Sequence, residues 1–185
     1  MALIIPLYNL TVADATFSMA IGHSVARSVL AINVALCGLA SIFALNSAGY
    51  AHGDIKPGNM MLDSSGLVTL IDLGTAQRLG DYFTESSNFA LGELSLSSVD
   101  YDLVCLGSTL AFIEHALHPN DLRTRDAMLA KLSDCTSSAV TRLAQQCLGP
   151  ASSRPSLRQM ADELESASRH LNCIVSLRAM WPTMR

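Results

Sequence analysis

Residues 52–74 read HGDIKPGNMMLDSSGLVTLIDLG, and this stretch decides the fold. It opens with a turn-rich loop in which Asp54 is followed by Lys56 and Asn59. A carboxylate can orient an attacking hydroxyl, a lysine can neutralise charge on a transferred phosphoryl group, and an amide oxygen can hold Mg²⁺. The loop therefore predicts phosphoryl-transfer chemistry.

A hairpin is predicted directly after this loop. Two short apolar runs, 59–62 and 67–71, are separated by the sequence DSSG, which is typical of a hairpin turn. The second run ends at Asp72, which stands just ahead of Leu73 and Gly74. Because a hairpin returns the chain to its start, Asp72 is expected beside the loop, where its carboxylate could hold a metal that bridges nucleotide phosphates.

HGDIKPGN and DLG resemble the H-R-D-L-x-x-x-N and D-F-G signatures of protein kinases in residue type, spacing and intervening hairpin. The resemblance implies that Asp54 is the catalytic aspartate and Lys56 the phosphate-contacting lysine. It implies that Asn59 and Asp72 are metal ligands, with ATP and Mg²⁺ as cofactors and a protein as substrate. Lys56 followed by Pro57 is the form found in serine/threonine rather than tyrosine kinases.

The resemblance continues on both sides of the hairpin. DLVCLG at 102–107 resembles the D-x-W-S-x-G opening of the family's central buried helix, and 139–164 resembles its last two helices with the R-P-S turn between them. Upstream, ALIIPLY at 2–8 is similar to the strand that enters the hinge. The apolar helix predicted for 20–45 takes the place of the buried helix before the catalytic loop.

Further residues receive roles from the same resemblance. Asp102 is implied to hold the backbone of the catalytic loop, and His52 and Gly74 to be structural. Glu93, in the ALGE sequence nearest to the missing A-P-E signature, is implied to pair with Arg154; the alternative is that both are solvated surface charges. Two residues are implied to contact the nucleotide, Met61 under the adenine ring and Asp14 at the ribose.

The predicted fold is mainly α with a small β-hairpin, the C-terminal lobe of a protein-kinase-like fold whose whole is α+β. Residues 1–171 are predicted to form a partial kinase domain, and 172–185 are an unassigned tail. Besides the long apolar helix, a helix is expected to start near Thr11, and four more are predicted at 101–117, 121–133, 138–148 and 156–171.

Three departures from the family limit the functional prediction. The sequence has no Gly-rich loop and no V-A-I-K lysine, which predicts a fragment, a truncation or a half-fold that needs an N-terminal lobe or partner chain. Gly53 replaces the arginine beside the catalytic aspartate, so no phosphorylation switch is expected at Thr84, Ser86 or Ser87. Leu73 replaces the D-F-G phenylalanine and is expected to pack beside His52.

Composition excludes several classes of function. The chain of 185 residues is predicted to be one domain, and its net charge of −4 offers no basic face for nucleic acid. The five cysteines form no CxxC or metal cluster and are typical of reduced thiols, which favours an intracellular, cytoplasmic location.

The apolar run 29–45 approaches the length of a membrane span. Asn33 and the absence of flanking Lys/Arg clusters nevertheless favour a helix buried inside a globular protein, with no membrane partner.

Two other functions remain open. The pattern H-G-D-x-x-x-x-N followed by I-D-x-G also fits small-molecule phosphotransferases of the aminoglycoside or choline kinase type. Lys56 and the R-P-S helix pair favour a protein kinase over these enzymes. A non-catalytic kinase-like binding module is the third hypothesis, and the missing N-terminal lobe is the reason to keep it.

Overall fold

The computed structural model describes residues 10–18, 24–64, 66–83, 87–92 and 96–170. The strand expected at 2–8, the tail at 172–185, Glu93 and the candidate phosphosites Thr84 and Ser86 lie outside the described residues. Within the described part, the chain is mostly helical with two small antiparallel sheets, which confirms the predicted fold class.

Six α-helices lie within the described ranges, and each corresponds to a predicted one. They are α1 (Val12–Ser18), α2 (Ser24–Ser47), α3 (Val99–His115), α4 (Arg125–Ser133), α5 (Ala139–Leu148) and α6 (Leu157–His170). The start of α4 was predicted four residues too early, at residue 121. Thr124 caps this helix by accepting a hydrogen bond from the backbone N–H of Ala127, and the helix therefore begins at Arg125.

Helix α2 is apolar on all sides because it lies inside the molecule. Leu36, Leu39 and Ile42 are fully buried, and the helix packs against α3 and α6. Its one central amide, Asn33, donates from Nδ2 to the carbonyl of Gly66 at 3.1 Å and so holds the hairpin turn. By length and composition alone the stretch Arg27–Ser47 could cross a membrane, and 56% of its most apolar window is buried within the protein.

Two small sheets surround the predicted catalytic loop. In the first, strand β3 (Met60–Leu62) lies between β1 (Leu10–Thr11) and β4 (Val68–Leu70). Strands β3 and β4 pair antiparallel, with Met61 opposite Thr69, as the predicted hairpin requires. In the second, β2 (Tyr50–Ala51) pairs with β5 (Gln77–Arg78). The loop 52–59 thus leaves one sheet and enters the other.

Helix α3 is the centre of the core and packs closely on α5. A Cβ atom at Gly107 would lie 2.9 Å from Cγ of Leu148, 3.0 Å from Cβ of Cys147 and 3.1 Å from the carbonyl oxygen of Ala144. No side chain fits there without moving the α5 backbone, because one of these neighbours is a main-chain atom. The glycine that ends the DLVCLG sequence therefore permits the closest approach of the two helices.

Candidate active site

Side chains of α3 hydrogen bond to the backbone of the loop 52–59. Asp102, in the first turn of α3 and fully buried, accepts hydrogen bonds from the backbone N–H groups of His52 at 2.8 Å and Gly53 at 2.9 Å. The hydroxyl of Thr109, two helical turns further on, donates to the carbonyl of Ile55 at 3.3 Å. These contacts, from a rigid buried helix, fix the backbone that carries Asp54 and Lys56.

His52 connects the loop to the strand that follows the hairpin. Its Nε2 lies 3.1 Å from the carbonyl oxygen of Ile71, and the backbone N–H of Asp54 donates to its Nδ1 at 3.3 Å. A carbonyl can only accept and an N–H can only donate, so these contacts require a neutral ring with its proton on Nε2. Burial lowers the pKa of His52 and keeps the ring neutral, although the carboxylates of Asp54 and Asp72 act in the opposite direction.

Asp54, Lys56 and Asn59 come together in one hydrogen-bonded cluster. Lys56 Nζ lies 2.5 Å from Asp54 Oδ2, and Asn59 Nδ2 donates to the same oxygen at 2.9 Å and to the Asp54 carbonyl at 3.0 Å. Burial raises the pKa of the Asp54 carboxyl, but hydrogen bonds from Lys56, Ser87 and Asn59 and the charge of Lys56 outweigh burial and hold the pKa below its usual value. Asp54 is therefore a fixed, ionised acceptor at neutral pH.

Asp72 lies at the end of the hairpin, in a left-handed backbone conformation with φ of 64°. This conformation is uncommon for a residue with a side chain and costs about 1–3 kcal/mol where it occurs. Asp72 Oδ1 accepts a hydrogen bond from the N–H of Gly74 at 3.2 Å, and the side chain is exposed. Ile71, the residue before Asp72, contacts His52 Nε2 through its carbonyl oxygen at 3.1 Å and donates its N–H to the carbonyl of Asn59 at 2.8 Å. The hairpin therefore returns the chain to the loop 52–59.

Asn59 and Asp72 could supply oxygen ligands to a metal. The side-chain nitrogen of Asn59 donates its hydrogen bonds to Asp54, so the side-chain oxygen of Asn59 is the atom that could bind a cation. Within the described ranges no group of three or more His, Cys, Asp or Glu side chains could hold a metal alone. Mg²⁺ commonly takes one or two protein ligands and completes its octahedron with water and phosphate oxygens, so this donor set fits a nucleotide-bound Mg²⁺.

A cavity of about 190 Å³ opens above the cluster, lined by Gly53, Asp54, Lys56, Thr75, Ser87, Asn88 and Phe89. Two of its lining residues also support the loop. The Thr75 hydroxyl donates to the carbonyl of His52 at 2.9 Å, and the Ser87 hydroxyl is near enough to the Asp54 carboxylate to lower its pKa. The cavity thus gives a small polar group, such as a hydroxyl, access to Asp54.

Gly53 has φ of +83°, and a Cβ atom there would lie 2.4 Å from Cε1 of Phe83. Phe83 is buried and packs on Tyr101, with ring centroids 4.6 Å apart. The Tyr101 hydroxyl in turn accepts from the N–H of Ser87 at 2.9 Å. An aromatic ring therefore packs against the backbone of Gly53, beside Asp54, at the position where the resemblance to protein kinases implies an arginine.

Two sequence-based expectations about structural residues have different outcomes. Leu73 does not pack into the site beside His52; it is 60% exposed, because the left-handed turn at Asp72 leads the chain out to the surface. The structure pairs Arg154 with Asp100, at the N-terminus of α3. Glu93 lies outside the described residues, so its pairing with Arg154 stays a prediction. The Arg154 guanidinium is also satisfied by the carbonyls of Gln146 and Gly149.

The two residues expected at the nucleotide lie on neighbouring elements, Met61 on β3, the central strand of the first sheet, and Asp14 on α1. Thr11 is opposite Met61 in the β1–β3 pairing, and it also forms a reciprocal cap with Asp14. The Asp14 carboxylate accepts from the Thr11 hydroxyl at 2.6 Å, and this hydroxyl lowers the pKa of Asp14. Capping of α1 is sufficient to account for Asp14, so its contact with a ribose stays a prediction, as does the contact of the half-buried Met61 with adenine.

Sequence reasoning missed four residues that shape the site: Thr75, Phe83, Ser87 as a partner of Asp54, and Asp100. Phe83 and Ser87 lie in the polar stretch 77–98, whose path no hydrophobic periodicity could predict, and Asp100 follows shortly after it. The hydroxyl of Thr75, directly after DLG, was the one with a usable signal, because a polar residue just after a predicted metal ligand is close to the loop by position alone.

Comparison with known proteins supports the fold more than it supports an activity. No protein-family model matches this chain. A stretch of 52 residues, 28% of this chain and 3% of the relative, is 38% identical to the serine/threonine-protein kinase MRCK gamma of Mus musculus, and the Homo sapiens protein matches equally well. The chain thus spans only a small part of these curated relatives.

Solved structures match over nearly the whole chain. A rhoptry kinase from Toxoplasma gondii superposes with a TM-score of 0.69 at 17% identity, over 95% of this chain and 57% of that one. ROP2 from the same organism, described as having a protein-kinase fold and no enzymatic activity, gives 0.70 at 18% identity over 95% and 53%. The ROP18 kinase domain, solved with AMP-PNP and sucrose, gives 0.67 at 19% identity over 95% and 52%. The chain spans about half the length of these structures, and its fold is that of the C-terminal lobe of a protein kinase.

Proposed function

We propose that this chain transfers the γ-phosphoryl group of Mg·ATP to a serine or threonine hydroxyl of a protein. The observation that carries the proposal is the cluster at Asp54, in which an ionised carboxylate, a lysine and an amide converge beside a cavity on a kinase fold. A kinase-like neighbour solved with AMP-PNP is consistent with nucleotide binding.

Asp54 is proposed to orient the acceptor hydroxyl in the cavity. Because hydrogen bonds and the charge of Lys56 lower its pKa, Asp54 is a weak base and accepts the hydroxyl proton only as the new bond forms. In this step the acceptor oxygen bonds to the γ-phosphorus, the bond from that phosphorus to the bridging oxygen breaks, and the proton moves to an Asp54 oxygen.

Lys56 and the metal ligands are proposed to stabilise negative charge. The Lys56 side chain is 38% exposed, so it can turn from Asp54 toward an arriving phosphate. Asn59 and Asp72 would hold Mg²⁺, which supplies charge neutralisation between the phosphates when bound. The sequence has no Gly-rich loop or V-A-I-K lysine, and we propose that an N-terminal lobe or a partner chain covers the nucleotide.

The test is phosphate transfer from labelled ATP by the full chain to basic protein, casein, choline and aminoglycosides, with Asp54→Asn as the inactive variant. Asp121→Asn, an exposed aspartate that lines neither described cavity, is the matched control. Transfer to a protein that Asp54→Asn abolishes and Asp121→Asn preserves supports the proposal. Transfer to choline or an aminoglycoside alone would replace it with the small-molecule alternative.

A non-catalytic role is the second candidate function. The kinase-fold neighbour described as having no enzymatic activity favours it. In that case the chain would serve as a binding module through the same lobe. The absence of any Mg·ATP binding in calorimetry, with intact folding by circular dichroism, would favour this role over catalysis.

A further inference from the structure

A second, larger cavity lies next to the one at Asp54. Its volume is about 370 Å³, and it shares Ser87 and Asn88 with the first. One wall continues along the same segment to Leu91 and Gly92. The other wall is the turn between α3 and α4, with Pro119, Asn120 and Arg123. A chain that presents a hydroxyl to Asp54 can therefore continue across Asn88 into this second cavity.

The wall formed by residues 87–92 is fixed in place. Phe89 packs edge-on against Phe112 of α3, with ring centroids 6.3 Å apart. Leu91 is 4% exposed and has a left-handed backbone with φ of 53°, an uncommon conformation for a leucine that the surrounding packing must maintain. A Cβ atom on Gly92 would lie 3.6 Å from the carbonyl oxygen of Arg123, so the two walls meet at the base. The cavity is thus a preformed surface.

Among the described residues that line this cavity, Arg123 carries the formal charge. Its Nε donates to the carbonyl of Asn120 at 3.3 Å, which orients the guanidinium, and the side chain is exposed. No ion pair between Arg123 and a carboxylate occurs in the described ranges, whereas the neighbouring Arg125 and Arg154 both bind Asp100. Among the lining residues that the structure describes there is no Asp or Glu, and Asn88 and Asn120 add neutral amides.

We propose that this second cavity binds an acidic side chain of the protein substrate, a few residues from the phosphorylated hydroxyl, and that Arg123 determines this specificity. The inference rests on the proposed function. Guanidinium groups bind carboxylates and phosphates with paired, charge-assisted hydrogen bonds, so an anionic side chain is the chemistry that suits Arg123. Because an extended peptide advances about 3.3 Å per residue, adjacent cavities correspond to nearby substrate positions.

The experiment uses the full chain and peptides that share one serine acceptor, with Glu, Gln, Lys or phosphoserine at each flanking position in turn. The wild-type protein is expected to favour Glu over Gln at one position by about fivefold in kcat/KM, which is the upper range for a solvent-accessible ion pair. Arg123→Glu should abolish this preference and favour Lys. Lys131→Glu makes the same charge change on an exposed residue of α4 outside both cavities and should keep the Glu preference.

Failure of the inference and failure of the proposed function give different results. If peptides are phosphorylated without any preference for Glu, or if Lys131→Glu changes the preference as much as Arg123→Glu does, the inference is overturned and the proposed function stands. If no peptide is phosphorylated, the proposed function fails, and fluorescence anisotropy of labelled Glu and Gln peptides still tests the cavity. Tighter binding of Glu that depends on Arg123 supports the inference, and equal binding overturns it. A preference for phosphoserine above Glu supports it with phosphate as the anion.

Discussion

Asp102 has to satisfy two opposing requirements at the scale of the single residue. It is fully buried, and its carboxylate accepts hydrogen bonds from the backbone N–H groups of His52 and Gly53. Burial raises the pKa of Asp102 to about 6, although both hydrogen bonds act in the opposite direction. The native state therefore binds more protons than the unfolded chain between about pH 4 and 6, so the contribution of this carboxyl to the free energy of unfolding falls as pH rises through that range.

Asp102→Asn should test this contribution. The amide replaces one acceptor oxygen with a donor that faces a backbone N–H, so we expect a loss of about 1–3 kcal/mol in the free energy of unfolding. Because only the wild type has the raised pKa, the loss should be larger near pH 4 than near pH 7. Urea unfolding of both proteins at the two pH values measures the difference. A loss that increases with pH contradicts the assignment.

Gly53 is required by conformation and by space together. At Gly53→Ala the left-handed backbone and the contact with Phe83 should lower the free energy of unfolding by about 2–4 kcal/mol. Gly49 is the matched control, since its φ is +84° and a Cβ there would meet nothing within 4 Å. Gly49→Ala should therefore cost only about 1–2 kcal/mol for the backbone. Equal losses in thermal or urea unfolding would show that Phe83 does not restrict position 53.

The residues of the site differ in how well the sequence predicted them. Asp54, Lys56 and Asn59 were predictable as one cluster because they lie on a single short loop, where spacing alone brings them together. The contacts of Ser87, Phe83 and Asp100 depend on tertiary packing. These residues lie in or shortly after a segment without hydrophobic periodicity, so the sequence does not indicate which residues they meet. Arg154 was placed correctly in the turn before α6, but its contact with Asp100 could not be selected from the sequence because several carboxylates lie upstream.

At the scale of the elements, the packing of α3 on α5 depends on Gly107. In an isolated helix, Gly→Ala is stabilising by up to about 1 kcal/mol. Here the added methyl group would meet Leu148, Cys147 and the carbonyl of Ala144, so we expect Gly107→Ala to destabilise the protein by about 1–3 kcal/mol. Differential scanning calorimetry measures this effect.

Gly58→Ala is the control for Gly107→Ala, since a Cβ there has nothing within 4 Å. It should change the free energy of unfolding by less than about 1 kcal/mol. If Gly107→Ala raised the melting temperature, the helices would have to be further apart than the structure has them.

The elements themselves were more predictable than their ends. The apolar helix before the loop and the hairpin after it have clear signals, a long uncharged run and a DSSG turn between apolar residues. The ends depend on caps. Helix α2 continues through Asn46 and Ser47, which were expected to break it, and ends only where Gly49 takes φ of +84°. The first sheet was missed in part, because β1 pairs just two residues, too few to give an alternating pattern.

At the scale of the whole molecule, ligand binding should stabilise the fold. ATP with Mg²⁺ is expected to raise the melting temperature of the chain above that with ATP alone, because a ligand that binds only the native state shifts unfolding by mass action. Asp72→Asn should remove the Mg²⁺-dependent part of the shift, since an amide is a weaker Mg²⁺ ligand than a carboxylate. Asp121→Asn should retain it. An undiminished shift in Asp72→Asn would exclude Asp72 as a ligand.

Helix α2 also affects how the protein is made. Its buried side chains are covered by α3 and α6, which follow much later in the chain. During synthesis an apolar helix therefore leaves the ribosome well before its partners exist, at a translation rate of about 5–20 residues per second. Until then, its length and composition would also suit the machinery that inserts helices into bilayers. Chaperones that shield nascent apolar segments should therefore affect the yield of this chain. The effect should be larger than for a protein whose early long helix is amphipathic.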